Sequence, residues 1–232
     1  MNLKRMSPAT EPDRNCPLCP RLADFRQLQR QINPTWFNAP VPSFGDPDAK
    51  LLVVGLAPGL RGANRTGRPF TGDYAGVLLY STLLAFGFAQ GEYRERPEDS
   101  LKLTGALITN AVRCVPPENR PLPIEVRTCN QFLKAQIAAL PCLRFILALG
   151  LIAHAAVVRA LGPDKPSGYV FRHGGRHEIG DYLLFDSYHC SRYNTNTGRL
   201  TAEMFRSVFE SIVAVQERSG GWEQTGPTST AI

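Results

Sequence analysis

Residues 51–73, LLVVGLAPGLRGANRTGRPFTGD, constrain the fold of this chain more than any other segment. The segment begins with a continuous apolar run at residues 51–54, which is typical of a strand buried on both faces of a parallel sheet. A glycine-rich loop with three arginines follows, and the apolar stretch at residues 74–86 then predicts a helix. This order places backbone N–H groups and positive charge where an anion can bind.

A nucleotide-binding P-loop is the obvious alternative for such a segment. Gly62 and Gly67 have the required spacing, but Arg68 and Pro69 follow where a P-loop has lysine and a hydroxyl residue. The lysine that contacts the phosphates and the hydroxyl that binds Mg²⁺ are therefore both absent. The chemistry of the loop excludes this class.

Apolar runs alternate with helical patterns along the rest of the chain. The runs that predict strands are residues 51–54, 106–110, 145–149 and 183–186, and the predicted helices are residues 21–32, 74–86, 123–140, 151–161 and 201–216. This alternation predicts a three-layer α/β/α fold with a central four-stranded parallel sheet. The glycine-rich section at residues 169–181 predicts a hairpin about Gly174 and Gly175.

Ligands of such sheets bind beyond the carboxyl ends of the strands. The glycine-rich loop follows the first predicted strand, Asn110 ends the second, and His189 follows the fourth. These chemically versatile residues are therefore expected to meet at one edge of the sheet. That convergence predicts a single active site.

Length and charge limit the class of protein. The 232 residues suffice for one domain, expected at residues 14–216, with disordered ends at residues 1–13 and 217–232. The net charge of +6 and the pI near 9.1 favour a polyanionic partner. We find neither a signal peptide nor an apolar run of membrane-spanning length, and expect a cytoplasmic protein.

Three sequence segments resemble the motifs of the family 5 (type B) uracil-DNA glycosylases. GLAPG and GANRTGRPFTGD resemble the first motif and TNAVRC the second, and the resemblance extends from Cys16 to about Val213. The third motif usually has His-Pro-Ser, where this chain has His189-Cys190-Ser191. The resemblance implies a monomeric, monofunctional enzyme that hydrolyses the N-glycosidic bond of uracil in double-stranded DNA. It also implies activity on hypoxanthine, xanthine and ethenocytosine.

The resemblance also implies roles for individual residues. Asp73 would position water or stabilise the positive charge on the sugar, and His189 would donate a hydrogen bond to the departing base. The base would be bound by Asn110, Phe70, Gly55 and Ala57, and DNA would be contacted by Arg61, Arg65, Arg68, Ser191 and Arg192.

Simpler structural roles compete with these assignments. Asp73 is well placed to cap the helix that follows it, Asn110 to shape a strand end, and a lone phenylalanine to fill the core. The remaining histidines, His154, His173 and His177, are expected to be satisfied structural residues. A second hypothesis for the whole chain is a non-catalytic, metal-stabilised DNA-binding module.

Four of the six cysteines form a pattern typical of a metal site. Cys16 and Cys19 form a C-P-L-C pair, and Cys114 and Cys129 lie far downstream. In a reducing cytosol four thiolates suit either tetrahedral zinc or an iron–sulfur cluster. The family resemblance implies a structural [4Fe–4S] cluster. Cys142 is expected to be an ordinary core residue.

Overall fold

The computed structural model describes residues 10–218. The helices are α1 Pro20–Ile32, α2 Ala63–Thr66, α3 Tyr74–Ala85, α4 Pro123–Ala139, α5 Leu151–Leu161, α6 Arg192–Asn196 and α7 Ala202–Arg218. The strands are β1 Phe44–Gly45, β2 Leu51–Gly55, β3 Ala89–Gln90, β4 Lys102–Leu103, β5 Ala106–Asn110, β6 Phe145–Leu149, β7 Arg176–Ile179 and β8 Tyr182–Ser187. Within the described residues, no helix is both long and apolar enough to cross a membrane.

The main sheet has six strands in the order β1-β5-β2-β6-β8-β7. Its four central strands, β5, β2, β6 and β8, are parallel, and the edge strands β1 and β7 pair antiparallel to their neighbours. The central parallel sheet is therefore confirmed, with two edge strands added. Both were missed because β1 has only two residues and β7 is mostly exposed and charged.

Alternate residues of the central strands face opposite layers of helices. Leu51 and Val53 of β2 belong to the core formed with α3 and α7. Leu52 and Val54 belong to the core formed with α4 and α5. Because both faces of the strand are covered, its sequence is continuously apolar rather than alternating. The three-layer α/β/α architecture follows from this arrangement.

Three expectations need correction or restriction. The hairpin joins β7 to β8 through Gly180 and Asp181, not at Gly174 and Gly175, because Ile179 pairs with Tyr182. Cys142 is exposed rather than a core residue. The expected disordered ends lie largely outside the described residues, and in their described part Glu11 forms an ion pair with Arg113 while α7 extends to Arg218.

Candidate active site

The carboxyl ends of β2 and β5 lie side by side and form the floor of the candidate site. Parallel pairing sets Gly55 beside Asn110. Asn110 is 3% exposed, and its side-chain amide forms no hydrogen bond with any residue that the structure describes. An enclosed amide without a partner is costly, so this group is suited to an external one. Its donor and acceptor together match the edge of a nucleobase.

The ring of Phe70 lies over the same floor. A Cβ atom at Gly55 would lie 2.6 Å from Cζ of Phe70 and would also collide with Oδ1 of Asn110. Glycine at this position therefore allows both side chains to approach the backbone closely. The structure thus brings together three of the four predicted base-binding residues. The fourth, Ala57, packs against a different cluster that includes Val112 and Phe132.

His189 lies beside Phe70 at the candidate site. The two rings are stacked, with centroids 5.8 Å apart and planes inclined by 27°. Burial lowers the pKa of His189 to about 4, so the imidazole is neutral at physiological pH. Within residues 10–218 no partner hydrogen-bonds its ring, while Asn194 Nδ2 donates to the His189 carbonyl at 2.8 Å and fixes the loop. A neutral histidine with a free N–H is a suitable hydrogen-bond donor to an oxygen.

Asp73 caps α3 and also faces the glycine-rich loop. Its Oδ1 accepts a hydrogen bond from the Gly76 N–H at 3.2 Å, as an N-cap residue does. Its Oδ2 points at the loop, because a Cβ atom at Gly62 would lie only 2.5 Å from it. Burial raises the pKa of the carboxyl, and hydrogen bonds from the first turn of α3 partly offset this effect. Capping therefore occupies one carboxylate oxygen and leaves the other directed at the loop.

The predicted DNA-contacting residues divide into two groups. Arg61, Arg65 and Arg192 are exposed, and the Arg192 guanidinium lies over the Tyr74 ring, 5.2 Å from its centroid. Ser191 is half-buried and caps the short helix α6, accepting from the Asn194 N–H at 3.4 Å. Arg61 and Ser191 lie on loops and Arg65 and Arg192 on the short helices α2 and α6, in the segments that follow the carboxyl ends of β2 and β8. Their charge and position suit contact with phosphates.

Arg68 does not fit the predicted phosphate contact. It is 5% exposed and forms a bidentate ion pair with Asp99, with Nη1–Oδ1 and Nη2–Oδ2 distances of 2.7 and 2.8 Å. Its Nε donates to Thr71 Oγ1 at 2.8 Å. Because the guanidinium is enclosed and already paired, it is not available to DNA. The sequence offers no distinction between Arg68 and the exposed Arg65.

The four patterned cysteines line one apolar pocket. Cys16, Cys19, Cys114 and Cys129 surround it together with Leu22, Val112 and Phe132. Arg26 Nη1 donates to Cys114 Sγ at 3.3 Å, and the Arg113 N–H donates to Cys129 Sγ at 3.4 Å. Burial raises the pKa of Cys19 to about 11 and that of Cys129 to about 12, so a bound cation is needed to hold these groups as thiolates.

A second group of potential ligands consists of His154, His177 and Asp186. His154 Nδ1 and His177 Nε2 lie 2.7 and 2.9 Å from opposite oxygens of Asp186, and His154 Nε2 lies 2.9 Å from the Tyr169 carbonyl oxygen. Two ligand atoms bound to one tetrahedral zinc ion are roughly 3.3 Å apart. Both histidine nitrogens lie closer than this to the Asp186 oxygens. These contacts are therefore hydrogen bonds, and the expected structural role of His154 and His177 fits the geometry.

The sequence analysis missed Tyr80, Tyr93 and Asp99, all of which contact the loop that holds Phe70. Tyr80 lies on the inward face of α3, and Tyr93 and Asp99 lie in a polar connection between β3 and β4. Their distance in sequence from the glycine-rich segment at residues 51–73 matches no catalytic sequence pattern. Only the three-dimensional packing of the connection against the motif identifies them.

The fold and this site define a class of protein. The chain matches the family model of the uracil DNA glycosylase superfamily over residues 42–213, and it belongs to that superfamily. Within it, the chain is similar to the type-5 uracil-DNA glycosylase of Thermus thermophilus, with 46% identity over 83% of this chain and 90% of the relative. It is 38% identical to the type-5 enzyme of Pyrobaculum aerophilum over 86% of this chain and 88% of the relative. A type-4 uracil-DNA glycosylase of the same organism is 36% identical over 64% of this chain.

Proposed function

We propose that this protein removes uracil from double-stranded DNA by hydrolysing its N-glycosidic bond. The observation that supports this function best is the enclosed amide of Asn110, which has no hydrogen-bond partner among residues 10–218 and lies beside the Phe70 ring. That ring is in turn stacked with the neutral His189. Uracil has a planar face for stacking, an edge with a donor and an acceptor, and an oxygen that becomes negatively charged as the base departs. Each feature has a matching group at the candidate site.

In the proposed reaction, the bond between C1′ and the base nitrogen breaks and its electron pair leaves with the base. His189 donates a hydrogen bond to the departing uracil, and Asn110 binds its edge. The free oxygen of Asp73 orients a water molecule or stabilises the positive charge on the sugar. The water oxygen bonds to C1′, and one of its protons ends on the released base. The similarity to family 5 enzymes extends the proposal to hypoxanthine, xanthine and ethenocytosine.

The test is a set of oligonucleotides with a single lesion, both single-stranded and in duplexes, incubated with excess enzyme and then cleaved with alkali. We expect uracil to be released from duplexes, and release of the other bases would extend the substrate range. A protein that binds all duplexes but releases no base would instead support the non-catalytic DNA-binding module.

Asp73→Ala and Asp73→Ser separate catalysis by Asp73 from helix capping. Serine can cap α3 but has no carboxylate, so both variants should lose single-turnover excision, while Asp73→Ala alone should lose about 1 kcal/mol of stability. If Asp73→Ser excised uracil at near the wild-type rate, the role of Asp73 would be helix capping alone.

We further propose that Cys16, Cys19, Cys114 and Cys129 bind a structural [4Fe–4S] cluster. Among the described residues, the cysteine sulfurs form no group of three within 4.8 Å of one another, whereas thiolates on one tetrahedral zinc ion lie roughly 3.8 Å apart. The apolar lining of the pocket and the two N–H···S hydrogen bonds support a bound cluster. When bound, it would cross-link the N-terminal segment to the domain.

Absorption spectra with iron and sulfide analysis test the cluster. We expect brown protein, with colour and soluble yield reduced in Cys129→Ser and unchanged in the exposed control Cys142→Ser. Colourless protein that contains one zinc ion per chain would refute the cluster.

A further inference from the structure

Phe70 has a backbone conformation that few aromatic residues adopt. Its φ angle is 52°, in the left-handed region, although it is not a glycine and its side chain is 6% exposed. Such a conformation is unfavourable for a bulky residue and persists only when the surrounding contacts hold it. The contacts around Phe70 therefore bear on the orientation of its ring.

Hydrogen bonds fix the peptide groups on both sides of this residue. The Tyr80 hydroxyl donates to the Pro69 carbonyl at 2.6 Å, and the Tyr93 hydroxyl donates to the Phe70 carbonyl at 3.0 Å. The Thr66 hydroxyl donates to the Thr71 carbonyl at 3.1 Å. Three consecutive carbonyl groups are thus held by side chains from outside the 69–71 segment.

Gly76 of α3 allows the Phe70 carbonyl to lie against that helix. A Cβ atom at this position would collide with the Phe70 carbonyl oxygen and with the Tyr93 hydroxyl. Glycine inside a helix is unfavourable unless a close approach requires it. The close approach here is to the residue whose ring covers Gly55.

Arg68 connects the tyrosines and Asp99 to the loop. Its Cζ lies 5.1, 5.6 and 5.8 Å from the ring centroids of Phe44, Tyr80 and Tyr93. The bidentate pair with Asp99 orients the plane of the guanidinium, and the bond from Nε to Thr71 Oγ1 ties it to the residue after Phe70. The charge is therefore used to build a support rather than to bind DNA.

We propose that Arg68, Tyr80, Tyr93 and Asp99 are positioning residues that hold Phe70 in its left-handed conformation, so that its ring is in place before the base arrives. This inference rests on the proposed function, because it assigns the support to the ring that would stack on uracil. Preorganisation of this kind avoids the cost of ordering the loop during binding. The alternative is that the same contacts only stabilise the fold.

A double-mutant cycle between Tyr93→Phe and Phe70→Ala separates these two explanations. Tyr93→Phe removes a single hydroxyl, so its single-turnover excision of uracil should slow about two- to tenfold. Binding of free uracil, measured by calorimetry, should weaken by a similar factor. In the Phe70→Ala background the same substitution should have no further effect on either quantity, because the group that it positions is gone.

Tyr182→Phe is the matched control, since Tyr182 is half-buried and its hydroxyl forms no hydrogen bond with the residues in the 10–218 range. It should leave both quantities unchanged. Arg68→Lys should reproduce the Tyr93→Phe effect in the fraction that remains folded, as judged by melting curves.

The inference would be overturned if Tyr93→Phe reduced the excision rate and the uracil affinity by the same factor with and without Phe70→Ala. It would also be overturned if Tyr93→Phe lowered the melting temperature but left both quantities unchanged. Failure of the wild-type enzyme to release uracil would count against the proposed function instead. The calorimetric comparison does not depend on turnover and still decides whether Tyr93 acts through Phe70.

Discussion

His154 and His189 lie in neighbouring parts of the molecule and have opposite environments. His154 is buried on α5, and both of its ring nitrogens lie at hydrogen-bond distance from partners, Asp186 of β8 and the Tyr169 carbonyl. His189 follows the same strand three residues after Asp186. In the part of the chain that the structure describes, its ring stacks on Phe70 and has no hydrogen-bond partner. Burial opposes the charge on both and is the largest single influence on each pKa. For His154, Asp186 and the Tyr169 carbonyl together outweigh it and raise the pKa, whereas the pKa of His189 is lowered.

The difference shows how this fold separates stability from recognition. Groups behind the sheet edge satisfy one another, so they contribute to folding and present nothing to a ligand. At the edge, the side chains of His189 and Asn110 are enclosed and have no hydrogen-bond partner between residues 10 and 218, so a ligand can satisfy them. The same contrast holds between the buried Arg68 and the exposed Arg65.

The largest expected effect is on the stability that Asp186 contributes through its two histidine contacts. Asp186→Ala leaves two imidazoles without their acceptor in a buried site, so the free energy of unfolding should fall by about 3 kcal/mol, measured by urea denaturation. The control is Asp181→Ala, an exposed position on the same hairpin, which should have little effect. A loss no greater than that of the control would mean that the cluster is not a stabilising unit.

Two buried asparagines give the next comparison. Asn110→Ala should slow single-turnover excision of uracil at least about tenfold with little change in melting temperature, because its amide has no described partner to lose. Asn130 Nδ2 donates to the Ala156 carbonyl at 2.8 Å, so Asn130→Ala should cost about 1 kcal/mol of stability and preserve the rate. Equal effects on rate would contradict the division between the two regions.

The two histidines should also have opposite effects on the pH dependence of stability. The pKa of His189 is about 4 in the folded protein and about 6.5 when unfolded, so the unfolded state binds more protons between these values and stability falls on acidification. The pKa of His154 is raised, so its contribution is present below pH 6.5 and is lost as the pH rises through the folded value. The free energy of unfolding, measured by urea denaturation between pH 4 and 9, tests both statements. His189→Gln should reduce the loss of stability at acidic pH, and His154→Gln should reduce the loss at alkaline pH.

The smallest expected effect concerns the arginines. Arg65→Ala should weaken binding to lesion-free and uracil-containing duplexes alike, by a few-fold, and reduce the slope of log K against log salt by about 1. Arg68→Ala, examined by the same salt titration in its folded fraction, should leave the slope unchanged. A reduced slope for Arg68→Ala would mean that this guanidinium reaches phosphate after all.

Sequence patterns predicted β5, β6 and α5 with the bounds that the structure gives them, because buried parallel strands and glycine-terminated helices have strong local signals. The convergence of Asn110, Phe70 and His189 followed from the rule for strand ends. The difference between Arg68 and Arg65 was not predictable, because it depends on Asp99, 31 residues away from Arg68. Cys142 was misassigned because its apolar neighbours gave no sign that it lies in an exposed turn.

The position of α1 in the chain has a consequence for synthesis. Arg21 of α1 pairs with Glu125, 104 residues later, and Arg26 pairs with Cys114, 88 residues later. At about 5–20 residues per second, the ribosome needs roughly 5–20 s to supply these partners. An isolated helix of 13 residues is only marginally stable in water. Cys114 and Cys129 are synthesised after a similar delay relative to Cys16 and Cys19. The segment that carries α1 is therefore made well before its partners and is completed late, and its two thiols are not shielded by the fold throughout that interval.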